Sequence, residues 1–219
     1  AYVLAFGVNE YANAKYNLKY AGPDATAFAA EVRAQVAKLD AYDHVEVVSL
    51  LDGNATKANF LAALNRLATG AEVPAGASPE VTRLRRAQPE DAVTIYFAGH
   101  GTANGARFYL VPHDLGYTGP RANVAASSVE AILSHSVSDL EIEVAVEALD
   151  SSQVLLVIDA CNSGQALEAE ERRRGPMNSK GLAQLAYEKG MFILTAAQSY
   201  QAALETAQLG HGYLTYALV

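Results

Sequence analysis

The chain has 219 residues, 51% of them apolar and 18% charged, with one Cys, no Trp and a formal net charge of −8. At roughly 150 residues per domain this is one large domain or at most two small ones, able to bury about 70% of the surface that its unfolded chain exposes. One thiol cannot form an internal disulfide, which argues against a small secreted scaffold; the acidic balance disfavours a nucleic-acid partner, and the longest apolar runs fall far short of the ~20 residues of a membrane span.

The opening Ala1-Tyr2-Val3-Leu4-Ala5-Phe6-Gly7-Val8 has no basic flank and no cleavage-site pattern. It reads as a first buried strand and not a signal peptide, in keeping with an acidic cytoplasmic protein. A turn cluster follows (Asn9, Asn13, Asn17, Gly22-Pro23), and residues 24–39 carry Phe28, Val32, Val36 and Leu39 at helical spacing. Residues 45–51 return to strand until Asp52-Gly53-Asn54 breaks it. An amphipathic helix is predicted over 56–68, with Phe60, Leu61, Leu64 and Leu67 on one side, and residues 70–89 read as an exposed loop.

Residues 93–98 (Val-Thr-Ile-Tyr-Phe-Ala) are apolar enough for a central strand covered on both faces. A short strand at 108–111 ends at Pro112, and Ser138 with Glu141 three residues later has capping-box spacing for a helix to Leu149. The most apolar strand is 154–158. A charged stretch over 165–180 suits a mobile loop, followed by a short helix at 181–189 and a strand at 191–195. This alternation predicts an α/β fold with a largely parallel sheet and helices on both faces, in which function sits outside the carboxyl ends of the strands.

Two predicted strands end in chemistry. One runs into Gly99-His100-Gly101 and the other into Asp159-Ala160-Cys161-Asn162-Ser163-Gly164. The glycines are expected to turn the backbone sharply and leave the imidazole open. Neighbouring parallel strands would bring His100 and Cys161 to one cleft across 61 positions of sequence. A thiol with a pKa near 8.5 is only a few per cent thiolate at neutral pH; an adjacent imidazole activates it and can then protonate a leaving amine. The amides of Gly101 and Cys161 would flank the developing oxyanion. Either residue alone is more often structural, a Cys as a small core residue and a His as a buried partner.

These segments resemble the caspase-like cysteine peptidases, most closely the metacaspases and bacterial caspase-like proteins. Residues 159–164 are similar to the family's nucleophile motif and Phe97-Ala98-Gly99-His100-Gly101 to its histidine motif. Ala5-Phe6-Gly7-Val8-Asn9-Glu10-Tyr11, Leu18-Lys19-Tyr20-Ala21-Gly22-Pro23-Asp24-Ala25 and the late Gly210-His211-Gly212-Tyr213-Leu214-Thr215-Tyr216-Ala217-Leu218 match other family segments, in order along the chain. The resemblance implies a three-layer α/β sandwich over 1–219, with a larger part to about 171 and a smaller one from about 175. It implies peptide hydrolysis through a thioester, with His100 as acid/base and Cys161 as nucleophile. There are two departures. Ala98 stands where metacaspase-type members often have Ser, and Val219 falls where the family's last helix begins, as expected of a segment of a longer protein or one that has lost that helix.

The resemblance also implies an acidic pocket at Asp24 and Asp159 for Arg or Lys. Two converging carboxylates disfavour one another unless a cation enters. Asp24 is otherwise a helix N-terminal acid and Asp159 a structural acid. Ala197, Gln198 and Ser199, after the last strand, are expected to line the substrate groove or to form an ordinary loop. Arg172, Arg173 and Arg174 are a candidate self-cleavage site or a solvated charge run, with Arg83, Arg85 and Arg86 as a second candidate.

His44, His113, His135 and His211 lack metal-ligand spacing, and no cofactor is expected to be required. Calcium activation is common in metacaspases, but Glu168, Glu170 and Glu171 read equally as a solvated loop. The expected partners are peptides or proteins with basic residues, not nucleic acid or membrane. Two other readings stand beside this one. One is an idle caspase-like scaffold; the other is an α/β hydrolase with a Cys nucleophile and His211 as its late histidine, which the missing Gly-x-Cys-x-Gly disfavours.

Overall fold

The apolar N-terminal run forms β1 (Tyr2–Gly7) in a computed structural model that describes residues 1–105, 107–121, 124–162, 180–196 and 210–219. β1 lies between β2 (Glu46–Leu51) and β3 (Ala92–Asn104); β3 pairs in turn with β6 (Gln153–Asn162), and β6 with β7 (Phe192–Thr195). All four pairings are parallel. β1 stops with Gly7 opposite Ala98, and β3 runs on. Its extension, from His100 to Asn104, pairs antiparallel with β4 (Arg107–Val111), which pairs antiparallel with the two-residue β5 (Val137–Ser138). The sheet is mixed, mostly parallel, and seven-stranded among the described residues.

The strand over 93–98 thus does not turn at Gly99-His100-Gly101. The glycines serve close approach instead: a Cβ on Gly101 would lie 2.8 Å from the Phe108 ring, and one on Gly99 3.1 Å from the Tyr11 hydroxyl. Both His100 and Cys161 are consequently strand residues and not turn residues.

Side-chain alternation divides the core. Val3, Ala5, Tyr96, Ala98 and Val157 pack with Ala25, Phe28 and Ala29 of α1 (Ala21–Lys38). Leu4, Phe6, Ile95, Phe97, Leu156 and Ile158 pack on the other face with Phe60, Leu64 and Leu67 of α2 (Lys57–Thr69) and with Ile142 and Val146. α3 (Ala126–His135) joins that second layer through Ile132. α4 (Asp139–Glu147) carries Ile142 and Val146 and has a full capping box: the Ser138 hydroxyl accepts from the Glu141 amide at 3.2 Å, and the Glu141 carboxylate accepts from the Ser138 amide at 2.8 Å. α5 (Lys180–Lys189) lies beside α4, and α6 (Tyr213–Leu218) beside α1 on the opposite face. Helices on both faces of the sheet make a three-layer α/β sandwich.

The structure departs from the sequence reading in two further places. The stretch over 70–89 is not simply an exposed loop. Pro79–Arg83 forms a 3₁₀ turn, and Val81, Leu84 and Ala87 are fully buried, because Arg66 of α2 donates to the carbonyls of Leu84, Gly70 and Ala71. In addition, α3 has no counterpart in the predicted elements. Its N-cap, Ala125, makes no side-chain hydrogen bond, so the usual starting signal is missing.

α1 begins at Ala21, three residues before Asp24, with Pro23 in the first turn where a missing N–H costs nothing. It sits directly on Gly7, where a Cβ would be 2.5 Å from the Ala21 carbonyl oxygen. Gly7→Ala is therefore expected to destabilise the fold by about 1–3 kcal/mol through overpacking. Chemical denaturation of the variant against wild type checks it. Among the described residues no helix is long and apolar enough to cross a membrane.

Candidate active site

His100 sits on the β3 extension, just past the point where β1 leaves the sheet, and is 4% exposed. The vacated edge is covered by the turn after β1. Tyr11 stacks at 5.0 Å from the imidazole with a 31° tilt, and its hydroxyl accepts from the His100 amide at 2.8 Å. Tyr16 closes the other side edge-on at 6.1 Å, and its carbonyl lies 2.8 Å from Nε2. A carbonyl only accepts, so Nε2 carries the proton and Nδ1 of the neutral ring is left as the basic nitrogen. Burial pulls the imidazole pKa down to about 4, against the Tyr16 carbonyl, which favours the charged form. The ring is therefore neutral at neutral pH and able to take a proton.

The β3–β6 register makes Cys161 the direct neighbour of His100 on the adjacent strand, with Asn162 beside Gly101. Strand neighbours lie about 4.8 Å apart. Topology thus joins the thiol and imidazole residues that the sequence separates.

Beside this pair two carboxylates converge from different layers. Asp24 comes from the first turn of α1 and is 3% exposed; its Oδ2 accepts from the Gly212 amide at 2.9 Å, and its Oδ1 lies 2.6 Å from His211 Nδ1. Asp159 comes from β6, in register with Ala98, itself in register with Gly7. Asp159 Oδ2 accepts from the Thr215 hydroxyl at 2.7 Å, with the Tyr96 hydroxyl at 3.4 Å. A Cβ on Gly212 would lie 3.1 Å from Asp24 Oδ2 and 3.2 Å from Asp159 Oδ2, so both acids border one small volume.

Burial raises the pKa of both carboxyls, and the charge of Asp24 raises that of Asp159 further. The Gly212 amide and His211 oppose the shift at Asp24; Thr215 and Tyr96 oppose it at Asp159. The ionised form of each carboxyl is thus disfavoured by its surroundings.

The family model described as a caspase domain matches residues 1–219. The chain belongs to the caspase-domain family. No curated protein matches it. Membership places the protein among the cysteine peptidases, and the mixed, mostly parallel sheet flanked by helices agrees with a caspase domain.

Within this caspase domain His100, Gly101, Cys161, Ala98, Asp24 and Asp159 all lie at the carboxyl-end rim of β3 and β6 and the start of α1. Ala197, Gln198, Ser199, Arg172, Arg173, Arg174 and the glutamates at 168, 170 and 171 lie outside the described residues. Of the second cleavage candidate, Arg83 is ion-paired with Glu80 and Glu46 and Arg86 with Asp150. His211 pairs with Asp24, which precedes Cys161 in the chain, so it does not follow the order that an α/β hydrolase needs. Among the described residues no group of three or more His, Cys, Asp or Glu is arranged to hold a metal ion.

Sequence reasoning missed Tyr11, Tyr16, Tyr96 and Thr215. Tyr96 had a usable signal: it lies on the parity of Ala98, whose register partner is Asp159. The Tyr16 carbonyl had none, because a backbone acceptor is indifferent to residue type.

Proposed function

We propose that this caspase domain is a cysteine endopeptidase that cleaves after Arg or Lys. The observation that carries the reading is the pair of converging carboxylates, buried Asp24 and half-buried Asp159, beside the strand pair that bears His100 and Cys161. A guanidinium or ammonium entering there offsets charge repulsion and desolvation together, whereas an acidic side chain would add a third negative charge.

In the proposed reaction Nδ1 of His100 takes the thiol proton of Cys161, while the Tyr16 carbonyl holds Nε2–H and fixes the ring. The thiolate attacks the carbonyl carbon after the basic residue. The backbone amide of Cys161 stabilises the oxyanion, a donor of this kind being worth about 3–4 kcal/mol in the transition state. The imidazolium returns its proton to the leaving amine, the C–N bond breaks and a thioester remains. Water, deprotonated by the same ring, hydrolyses it to the acid and the free thiol. The same preference makes Arg172-Arg173-Arg174 a self-processing site, cut by the domain itself.

The test is a panel of fluorogenic peptides differing only in the residue before the scissile bond. Arg and Lys peptides should be cleaved with kcat/KM at least about a hundredfold above Asp, Gln or Leu peptides, the scale of one desolvated charge pair. Preference for Asp would overturn the reading. Mass spectrometry of the purified protein against Cys161→Ala tests self-processing: cleavage between residues 172 and 175 that persists in the variant refutes it.

A further inference from the structure

Three side chains from separate parts of the chain form a buried hydrogen-bonded line into the acidic pocket. Thr215 on α6 has no exposed surface, and neither does Tyr96 on β3, whose ring is stacked at 4.4 Å on Phe28 of α1. The hydroxyls of Tyr96 and Thr215 are 2.6 Å apart, and Thr215 Oγ1 is 2.7 Å from Asp159 Oδ2. An ionised carboxylate only accepts, so the Thr215 proton goes to Asp159 and Thr215 must accept from Tyr96. With Asp159 ionised the line runs from Tyr96 to Thr215 to Asp159, and the Tyr96 hydroxyl also reaches Asp159 Oδ2 directly at 3.4 Å. Hydrogen bonds arranged in such a series polarise one another and strengthen the last one.

We propose that Thr215 is a positioning residue for specificity, whose hydroxyl orients Asp159 and keeps it ionised for a cationic side chain. The proposal rests on the reading of this pocket as the site for Arg or Lys. Three features support it. A carboxylate has about four lone-pair sites, so engagement of Oδ2 fixes the group and leaves capacity for a ligand. Second, no Lys, Arg or His is paired with Asp159 among the described residues, whereas the His211 ring lies 2.6 Å from Asp24. Its donors are the Thr215 hydroxyl at 2.7 Å, the Thr215 amide and, at 3.4 Å, the Tyr96 hydroxyl, so Thr215 is its main support. Third, the turn that brings Thr215 in also brings the Gly212 amide onto Asp24, so one segment serves both acids. Among the described residues the titratable groups that act on Asp159 are Asp24 on α1 and Tyr96 on β3.

The test uses the full chain with Thr215→Val, which keeps the branched shape and removes the hydroxyl, and Thr215→Ser, which restores it. Two quantities are read: the titration of the Asp159 carboxyl carbon by NMR, and kcat and KM for paired Arg and Leu peptides. Loss of a hydrogen bond to a charged group predicts about a tenfold to hundredfold fall in kcat/KM for the Arg peptide, mainly through KM, and little change for Leu. The Asp159 titration should move to higher pH in Thr215→Val, carrying the acid limb of Arg-peptide cleavage with it, and Thr215→Ser should restore both. Tyr96→Phe cuts the line one bond earlier and should move both quantities the same way by less; it also serves if Thr215→Val does not fold. An unshifted Asp159 titration, or unchanged Arg-peptide kinetics, overturns the proposal. If the titration shifts but the wild type cleaves no basic peptide, the substrate reading fails and the positioning of Asp159 stands.

Discussion

Cys161→Ala is expected to abolish peptide hydrolysis while the protein stays folded. Cys161 lies in β6 with Ala160 and Asn162 on either side, and an alanine there keeps every backbone pairing to His100 and Gly101. What disappears is the atom that forms the bond in the proposed reaction. Nucleophile and base act as one unit, and loss of either member of such a pair has cost about 10⁶ in kcat in a comparable hydrolase. A fall of at least about 10⁴ is expected here, the remainder coming from binding and backbone donors. His100→Ala should fall to a similar level, and the double variant no lower. Initial rates on an Arg peptide, with a thermal melt to establish folding, check all three. Activity within tenfold of wild type in Cys161→Ala would mean that the chemistry lies elsewhere.

Asp159→Asn should produce the second largest effect, confined to cationic substrates. A charged group left buried without its partner costs about 2–5 kcal/mol, so kcat/KM for Arg peptides should fall about thirtyfold to a few thousandfold. Neutral peptides should be cleaved as before or slightly better, since the pocket then carries less charge. Asp24→Asn should cost less than Asp159→Asn, because His211 and the Gly212 amide already share the Asp24 charge. The pH dependence has a definite sign. Cation binding needs ionised carboxyls, and burial raises both pKa values. Wild-type affinity for Arg peptides should therefore start to fall, as pH is lowered, at a higher pH than for an ordinary carboxylate. The acid limb should weaken in Asp159→Asn. Equal losses on Arg and neutral peptides would show that Asp159 supports the nucleophile's strand and does not read charge.

How much of this was visible in the sequence depends on range. Local signals carried well. Continuous apolar runs marked the strands, and Ser138 and Glu141 marked the start of a helix, because those features are decided by a few neighbouring residues. Glycine misled: two of them around His100 suggested a turn, but the chain there is extended and needs their bareness for Phe108 and Tyr11 to approach. That requirement belongs to packing partners invisible in a local window. α3 was missed for the opposite reason, since its N-cap, Ala125, has no side-chain hydrogen bond to announce it. The contacts around the carboxylates are the extreme case. Thr215 and Tyr96 are 119 positions apart, and His211 and Asp24 are 187 apart; nothing in either local sequence refers to the other.

That long reach has a consequence for when the molecule can act. Synthesis runs from the N-terminus, so a growing chain possesses its sulfur, its imidazole and both acids as soon as residue 161 has been made. The turn that braces those acids arrives some fifty residues later, with His211, Gly212 and Thr215. On the proposed reading, a nascent polypeptide holds its reactive pair before the segment that would set its choice of target has been made.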